Sequence, residues 1–248
     1  MEIKGATTEN ELSTLYKLAK KIPRGGSIVE LGAYKGRATA WLANGAKEGN
    51  AAKVYPVDLF ETTKVDNWLD EYKDNVKGLE EVIEIIVSDT VAASCGWNKG
   101  KVDMMFIDGD HSYEGILGDF GSWYKHLKIG GVVAFHDTTP VIREILRGVP
   151  MRGFWGIRKV VTDLVIRSDK FRDVHLTDSM LYAAKCERRT FLDSVQSYGV
   201  LLKMRFRYGI YKAYRLITAL PPGIKTNAKK LLGIKVRKHY REDAHRHY

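Results

Sequence analysis

The feature that most constrains the fold is a series of short apolar runs that alternate with segments of helical periodicity. In the clearest run, Val102–Ile107, only Asp103 is polar, which is typical of a strand buried on both faces of a parallel sheet. Four other runs are predicted to be strands: Ser27–Leu31, Lys53–Leu59, Val82–Val87 and Gly130–Phe135. Strands separated by helices form βαβ units with right-handed crossovers. The sequence therefore predicts a Rossmann-like, doubly wound α/β sheet whose strands are mostly parallel.

Helices are predicted between these strands and before the first of them. Thr8 and Glu11 have the spacing of a capping box, and leucines at helical intervals follow them, so we expect a helix over about residues 9–21. Further helices are predicted at about residues 37–47, 68–76, 113–126 and 157–167. Phe171–Thr177 and Met180–Lys185 are predicted to be two closely linked strands, suited to an antiparallel pair that closes the sheet.

The positive charge of the chain is concentrated towards residue 248. Residues 187–248 hold 15 Lys and Arg against 4 Asp and Glu, whereas residues 1–186 hold 25 against 26. We therefore predict an α/β domain over residues 1–186 and a basic helical appendage over residues 187–248. Cys95 and Cys186 have neither the number nor the spacing of a disulfide framework or a zinc cluster, which favours the cytoplasm. The sequence shows neither a signal-peptide core nor an apolar run of about 18 residues that could span a membrane.

Charged side chains follow two of the predicted strands at their carboxyl ends. Asp108 and His111 follow one buried run, and His136 and Asp137 follow another. Ligands of open α/β sheets bind just beyond the carboxyl ends of the strands. The two strand ends therefore predict the rim of an active site.

A turn that contains two glycines follows the first predicted strand, within the segment Glu30-Leu31-Gly32-Ala33-Tyr34-Lys35-Gly36. Glycine lets the backbone approach a ligand, and the helix N-terminus that follows attracts anionic groups. The spacing is G-x-x-x-G rather than the G-x-G-x-x-G of dinucleotide-binding turns, and Gly-Lys-Ser/Thr is absent from it. Nicotinamide or flavin binding is thus disfavoured, and a P-loop is excluded.

Polar groups also follow the second and third predicted strands. Asp58 is placed for a ribose diol, because a carboxylate accepts both hydroxyl protons, and Ser88-Asp89 is placed for the edge of an adenine ring. The alternative is that Asp58 and Asp89 only cap the helices that follow. Suitable groups at three successive strand ends favour a nucleoside ligand.

These motifs, in this order, resemble those of class I S-adenosylmethionine-dependent methyltransferases. The resemblance is carried by E-L-G-x-x-x-G, the acid after the second strand, S-D after the third, F-I-D-G-D-H-S-Y and G-G-V-V-A-F-H-D. More narrowly, the chain resembles the branch that contains small-molecule and sugar O-methyltransferases, several of which need a divalent metal. The resemblance covers about residues 8–186 and implies a seven-stranded sheet with an antiparallel last strand. It also implies residues that bind S-adenosylmethionine: Glu30, Gly32 and Gly36 for the methionyl part, Asp58 for the ribose, and Asp89 beside Ser88 for the adenine.

Methyl transfer to a hydroxyl needs a base or a metal that lowers the hydroxyl's pKa. His111, with an ordinary pKa of about 6.5, is the candidate base, and Asp108 and Asp137 are placed to share a divalent cation such as Mg²⁺. The resemblance implies metal ligands at Asp108, His136 and Asp137. An imidazole at position 136, where relatives often carry an acid, favours Mn²⁺ or another transition metal.

Several of these residues have a simpler structural interpretation as well, and Asp108-Gly109-Asp110 could be only a tight turn. His136 could instead be hydrogen-bonded behind the ligands, and His111 could be purely structural. Asp110 is interpreted as the cap of the next helix. Asp119, together with Lys125 and His126, is expected on a solvated helix face.

The basic appendage carries an apolar stripe at helical spacing. The stripe comprises Phe191, Val195, Tyr198, Leu202, Phe206, Ile210, Ala213, Ile217 and Leu220. Lysines and arginines flank it, a Pro-Pro-Gly at 221–223 ends the helix, and a second basic piece follows over residues 225–241. Basic flanks on an apolar stripe favour a helix that lies in the plane of an anionic membrane. Packing on the α/β domain, or formation of a homodimer, would explain the stripe equally well.

The sequence thus predicts an O-methyltransferase that acts on a hydroxyl of a small molecule or glycan. A membrane-held appendage would suit a lipid-linked sugar at the inner face of the membrane. One alternative is an RNA methyltransferase that uses the basic tail, but nucleic acid leaves the apolar stripe unexplained and no RNA-binding module is visible. The other is a non-catalytic membrane-docking module that keeps the fold.

Overall fold

A computed structural model describes residues 3–61, 68–147 and 154–220. Its seven strands are β1 (Ser27–Leu31), β2 (Lys53–Asp58), β3 (Ile86–Val87), β4 (Val102–Ile107), β5 (Leu127–Phe135), β6 (Phe171–Thr177) and β7 (Met180–Lys185). They form one sheet in the order β3-β2-β1-β4-β5-β7-β6. The first five strands are parallel, and β7 runs antiparallel to both β5 and β6. The predicted α/β fold and its antiparallel closing pair are therefore confirmed.

The described helices flank this sheet. They are α1 (Glu9–Lys20), α2 (Arg37–Glu48), α3 (Leu69–Asn75), α4 (Thr90–Gly96), α5 (Tyr113–Tyr124), α6 (Ile142–Arg147), α7 (Phe154–Val161) and α8 (Phe191–Ala219). A short π-helical segment, Thr162–Ile166, continues α7, so the single helix predicted at 157–167 changes its hydrogen bonding midway. None of the described helices is both long and apolar enough to cross a membrane.

The central strands are buried on both faces, as the apolar runs predict. Along β4, Met105 and Ile107 join the core on one side of the sheet, while Met104 and Phe106 join the core on the other. The largest departure from prediction is β3, which pairs over two residues only, with an isolated bridge between Val54 and Ile83 before it. The short helices α4 and α6 were not predicted from the sequence.

Asp119 and His126 do not lie on a solvated helix face, contrary to the prediction. Asp119 is 4% exposed and accepts a hydrogen bond from the hydroxyl of Thr90. Burial, the largest influence, raises its pKa to about 6 against the hydrogen bond from Thr90, and the acids Asp89 and Asp110 add to the rise. His126 is half-buried and its Nε2 lies 3.0 Å from the carbonyl oxygen of Ser94.

The buried carboxyl of Asp119 makes the stability of the protein depend on pH. Because its pKa is raised in the folded state, its stabilising contribution is complete below pH ~4 and is lost as the pH rises through about 6. We expect Asp119→Asn to raise the free energy of unfolding by about 3 kcal/mol at pH 8 and by about half as much at pH 5, where the carboxyl of the unfolded chain is already ionised but that of the folded chain is not. Urea denaturation at both pH values measures this, and an equal effect of the substitution at both would contradict it.

Helix α8 has one face on the core and an apolar face outside it. Leu201 and Met204 are buried in the same core cluster as β4 and β5, and the guanidinium of Arg158 in α7 stacks over the ring of Tyr208 at 4.0 Å. Most of the predicted apolar stripe points elsewhere: Phe191 is 80% exposed, Leu202 65% and Phe206 67%. The packing alternative is therefore correct for one face of α8, but it does not account for the stripe. The second basic piece, at 225–241, lies outside the described residues.

Candidate active site

The glycine turn and the charged rim meet at one edge of the sheet. Gly32 has a φ of +86°, and a Cβ built on it would lie 2.5 Å from the carbonyl oxygen of Asp108. The two backbones approach because β1 and β4 are neighbours in the sheet and both chains leave it at the same edge. A ligand held at the turn after β1 would therefore lie beside the rim after β4.

Replacing Gly32 with alanine is expected to lower the free energy of unfolding by about 3 kcal/mol or more, because left-handed backbone strain and a backbone clash add together. Gly100 is a matched control, since its φ is also +86° but nothing lies within 4 Å of a Cβ built there. Gly100→Ala should carry only the strain, about 1 kcal/mol. Equal losses in the two variants, measured by chemical denaturation, would contradict the close approach of β1 and β4.

Asp58 braces the glycine turn. Its Oδ2 accepts hydrogen bonds from the backbone N–H groups of Ala33 and Tyr34, both at 2.8 Å, and its Oδ1 accepts from Phe60 at 2.7 Å. The next helix, α3, begins at Trp68 without a side-chain cap, so the helix-cap alternative for Asp58 is wrong. Tyr34 itself has a φ of +46°, a conformation that the bonds to Asp58 help to hold. Contact between Asp58 and a ribose stays a prediction.

Gly36 and Ser88-Asp89 complete the predicted nucleoside edge. Gly36 is the N-cap of α2 and no side chain caps that helix, so its first N–H groups are not satisfied by a capping side chain. The amide of Ser88 donates to the carbonyl of Asp58 at 3.0 Å, which ties the ends of β2 and β3 together. Asp89 caps α4 by accepting from Ala92, as the simpler interpretation had it. A role at the adenine stays a prediction for both residues.

Glu30 is a buried carboxyl with one unsatisfied oxygen. Its Oε2 accepts a hydrogen bond from the hydroxyl of Thr39, and its Oε1 has no partner among the described residues. Its pKa is raised to about 8. Burial is the largest cause, and the negative charges of Asp108 and Asp58 add to it, while the hydrogen bond from Thr39 opposes it. A buried oxygen without a partner is unfavourable unless a ligand satisfies it, and a cationic amino group would do so.

This carboxyl predicts that cofactor binding depends on pH. If Glu30 receives the amino group of S-adenosylmethionine, binding requires its ionised form, so the affinity should rise by up to about tenfold per pH unit towards pH 8 and then level off. Glu30→Gln should bind more weakly and lose this part of the pH dependence, which separates it from titration of the cofactor itself. Isothermal titration at pH 6.5, 7.5 and 8.5 measures both proteins. Parallel pH profiles for the two would contradict the assignment.

The charged rim brings one carboxylate and two imidazoles together. Oδ1 of Asp108 lies 3.0 Å from Nδ1 of His136 and 3.3 Å from Nε2 of His111, and the ligand atoms of these three residues all lie within 4.8 Å of one another. Asp137 stands at the border of the group, with its two oxygens 3.7 Å from Nδ1 of His111 and Nδ1 of His136. Its φ of +51° is strained backbone of the kind that functional sites tolerate.

Glu11 contacts the ring nitrogen of His136 that faces away from Asp108. From the sequence, Glu11 was predicted only as part of a capping box. Nε2 of His136 lies 3.3 Å from Oε2 of Glu11, whose other oxygen accepts bonds from the amide and hydroxyl of Ser179, both at 2.7 Å, and from the amide of Met180 at 3.0 Å. The capping box of α1 is also present. Glu11 thereby fixes the imidazole so that Nδ1 faces Asp108.

The neighbouring loop is ordered around Ser112. Ser112 caps α5 by accepting a hydrogen bond from the amide of Gly115, whereas Asp110 accepts from the amide and hydroxyl of Ser112. The prediction that Asp110 itself caps this helix is therefore wrong, and the acid instead supports the residue that does.

The charges of the rim polarise one another strongly. Burial would lower the pKa of His136 and raise that of Asp108, but their mutual attraction reverses both effects. The pKa of His136 is held well above its ordinary value and that of Asp108 well below. Burial would also raise the pKa of Glu11, but the bonds from His136, Ser179 and Thr8 hold it at about 2. His111 likewise has a raised pKa, because Asp108 and Asp137 outweigh its burial.

The donor set of the rim fits a divalent cation. Nδ1 of His136 is buried and faces Oδ1 of Asp108 at 3.0 Å. A metal ion held by these two atoms would take the place of the proton that their ion pair shares. Imidazole nitrogens beside a carboxylate suit Mn²⁺ and related transition metals better than Mg²⁺, and the bond from Glu11 supplies the orientation that metal-binding histidines usually receive.

The fold is that of class I methyltransferases. The strand order with an antiparallel β7, and the glycine turn after β1 beside the charged rim, are what the resemblance implied. Residues 29–138 match a family model described as a methyltransferase domain. This match agrees with the predicted class, a SAM-dependent methyltransferase.

Solved structures with the same fold are distant in sequence. The cofactor-bound protein Rv0187 from MTB has a TM-score of 0.58 and 20% identity, with 75% of this chain and 85% of that chain covered. An O-methyltransferase from Bacillus cereus in complex with SAH has a TM-score of 0.51 and 18% identity, with 73% and 83% covered. CalS11, a TDP-rhamnose 3'-O-methyltransferase of calicheamicin biosynthesis, has a TM-score of 0.53 and 14% identity, with 70% and 76% covered.

The similarity to a curated relative extends over a short segment only. The uncharacterized protein R132 of Acanthamoeba polyphaga mimivirus is 44% identical over 36 residues, which are 14% of this chain. The match covers 16% of that viral protein.

Proposed function

We propose that this protein transfers a methyl group from S-adenosylmethionine to a hydroxyl of a small molecule or glycan, with the help of a divalent metal. The observation that carries the proposal is the contact between the glycine turn and the rim, since Gly32 abuts Asp108. A methyl donor at the turn would lie beside a carboxylate and two imidazoles. The sugar O-methyltransferase CalS11, which shares the fold, supports a glycan as one class of acceptor.

The proposed reaction assigns distinct tasks to the rim residues. A bond forms between the acceptor oxygen and the methyl carbon as the bond between that carbon and sulfur breaks, and the hydroxyl proton passes to the imidazole of His111. Asp108 and Asp137, on either side of His111 at 3.3 and 3.7 Å, stabilise the imidazolium that results. When bound, a metal ion would lower the pKa of the acceptor hydroxyl. Asp108, His136 and Asp137 would hold it, with His136 oriented by Glu11.

Transfer of radiolabel tests the proposal directly. The full chain is incubated with S-adenosylmethionine labelled in its methyl group, Mn²⁺, and a panel of nucleotide sugars, polyphenols and RNA. Labelled ether in a sugar or polyphenol product is the expected result, and its loss on addition of a chelator is expected for metal assistance. Label in RNA alone, or cofactor binding without label in any acceptor, would overturn the proposal in favour of one of the alternatives.

The exposed stripe of α8 extends the proposal to an anionic membrane surface. Among the members of the stripe, Phe191, Leu202 and Phe206 are mostly exposed, and the cations of α8 outnumber its single acid, Asp193, by five to one. Apolar side chains in the acyl boundary beside cations at anionic headgroups would explain both features. We therefore propose that residues 187–248 form an appendage that faces the membrane. It would bring the site to a lipid-linked acceptor at the inner face of the membrane.

Surface substitutions test this surface better than truncation, because deletion of residues 187–248 would also remove Leu201 and Met204 from the core. Leu202→Gln combined with Phe206→Gln should reduce sedimentation with vesicles of anionic lipid. Ile129→Gln is the control, since Ile129 is similarly exposed, at 57%, outside α8. Equal sedimentation of the double variant and the wild type would overturn the membrane proposal, and a shift from dimer to monomer in the double variant would assign the stripe to a homodimer instead.

A further inference from the structure

A cationic pocket separate from the candidate active site lies between α7, the π-helical segment and α8. It has a volume of about 250 Å³, and its charged lining consists of four cations and one acid: Arg158, Lys159, Arg167, Arg205 and Asp163. The reaction proposed above uses none of these residues. A pocket with this excess of positive charge favours an anionic ligand.

The acid of the pocket is already neutralised. Oδ2 of Asp163 lies 2.7 Å from Nζ of Lys159, and Oδ1 lies 3.0 Å from the guanidinium of Arg167. Arg158 and Arg205 have no carboxylate within ion-pair distance in the part of the chain that the structure describes. The pocket therefore contains two guanidinium groups whose charge is not paired.

Arg158 is held in place for a ligand. Cζ of its guanidinium lies 4.0 Å from the centroid of the Tyr208 ring, a cation–π contact that restrains the group, while its Nε is buried and without a hydrogen-bond partner among the described residues. Buried donors are nearly always satisfied, so an unsatisfied one beside a cavity points to a missing acceptor. A guanidinium presents paired donors that match the oxygens of a phosphate.

The pocket is also close to the proposed catalytic loop. Trp155, at its border, has its ring 6.0 Å from that of Tyr113, and Nζ of Lys159 lies 5.5 Å from the same ring. A Cβ built on Gly156 would lie 2.7 Å from the carbonyl oxygen of His111, so α7 begins directly against the loop that carries His111. On its other side, Arg205 belongs to the same helix as the exposed apolar residues Leu202 and Phe206.

We propose that this pocket binds a phosphate group of the acceptor, carried on either a soluble phosphate ester or a lipid headgroup. The identity of the ligand as the acceptor rests on the function proposed above, whereas the binding of phosphate does not. Arg158 and Arg205 provide the donors, and the position of α7 against the catalytic loop would leave the rest of the acceptor near His111.

Calorimetric titration of the full chain with pyrophosphate, in the absence of S-adenosylmethionine, tests the site. We expect saturable binding that Arg205→Met and Arg158→Lys each weaken by about tenfold or more. Arg215→Met is the matched control, because it removes the same charge from an exposed position of the same helix outside the pocket. Thermal unfolding of each variant checks that the fold persists, and Arg205, being exposed, is the variant least able to disturb it.

The outcomes distinguish a lipid headgroup from a soluble ester as the source of the phosphate. They also distinguish failure of this site from failure of the proposed function. Pyrophosphate that displaces the protein from phosphatidic acid vesicles indicates a headgroup, and pyrophosphate binding without vesicle binding indicates a soluble ester; both support the site. No saturable binding, or an equal loss in Arg215→Met and Arg205→Met, would overturn it. Phosphate binding in a chain that methylates no acceptor would count against the proposed function and leave this site standing.

Discussion

Replacing His111 with alanine is expected to lower the turnover of methyl transfer by about 10²- to 10⁴-fold, the range for loss of a general base. The affinity for S-adenosylmethionine should change by no more than about twofold, because only a group that acts on the acceptor's proton is removed. Turnover is measured on an acceptor found with the labelled methyl donor, and cofactor affinity by isothermal titration. His175→Ala is the control, since His175 is an exposed histidine of β6 outside the rim.

The same variant separates the two tasks that the geometry allows His111. Its Nε2 is close enough to Asp108 to share a metal with it, so His111 could bind the ion rather than take the proton. A base predicts normal Mn²⁺ affinity in His111→Ala with turnover lost. Unchanged turnover would remove His111 from the mechanism altogether, and a loss of Mn²⁺ affinity would make it a ligand.

Asp108→Asn is expected to weaken Mn²⁺ binding by about 100-fold or more, since the variant loses the carboxylate that lies nearer to both imidazoles, at 3.3 and 3.0 Å against 3.7 Å for Asp137. The amide also withdraws the negative charge that makes the site attractive to a cation. Titration of the full chain with Mn²⁺, followed by electron paramagnetic resonance of the free ion, measures the affinity.

Asp110→Asn is the matched control for Asp108→Asn. Asp110 belongs to the same loop, but its carboxylate is directed to Ser112 and it is not among the grouped ligands. Its variant should bind Mn²⁺ as the wild type does. Equal loss in the two variants would mean that the ion responds to the overall charge of the loop rather than to the rim.

The strands and the placement of the site were predictable because they depend on local pattern. A run buried on both faces, such as β4, can only be apolar throughout, and the end of such a run marks where charged side chains can reach a ligand. Asp108 and His136 could therefore be predicted as site residues from their positions in the sequence. Their approach to 3.0 Å followed from the pairing of neighbouring parallel strands, which the alternation of strands and helices implies.

Other parts of the site depend on contacts between distant segments and left no such signal. The pattern around Glu11 predicts a capping residue, and the structure confirms the cap. Its contact with His136, however, joins residues that are 125 positions apart in the chain. Asp119 follows an ordinary amphipathic pattern, and only the packing of α4 against α5 buries it beneath Thr90. In α8 the apolar stripe was visible, but which face of the helix meets the core depends on Leu201 and Met204 filling a space that the sequence does not reveal.

The central claim is that the methyl donor lies against the glycine turn with its reactive carbon towards the rim. A crystal structure of the protein with S-adenosylhomocysteine and Mn²⁺ measures this most directly. We predict that the homocysteine amino group contacts the carboxylate of Glu30 and that the sulfur faces His111. We also predict that Asp108 and His136 coordinate the ion. Homocysteine bound away from Gly32, or an ion bound elsewhere while the rim stays unligated, would contradict the account.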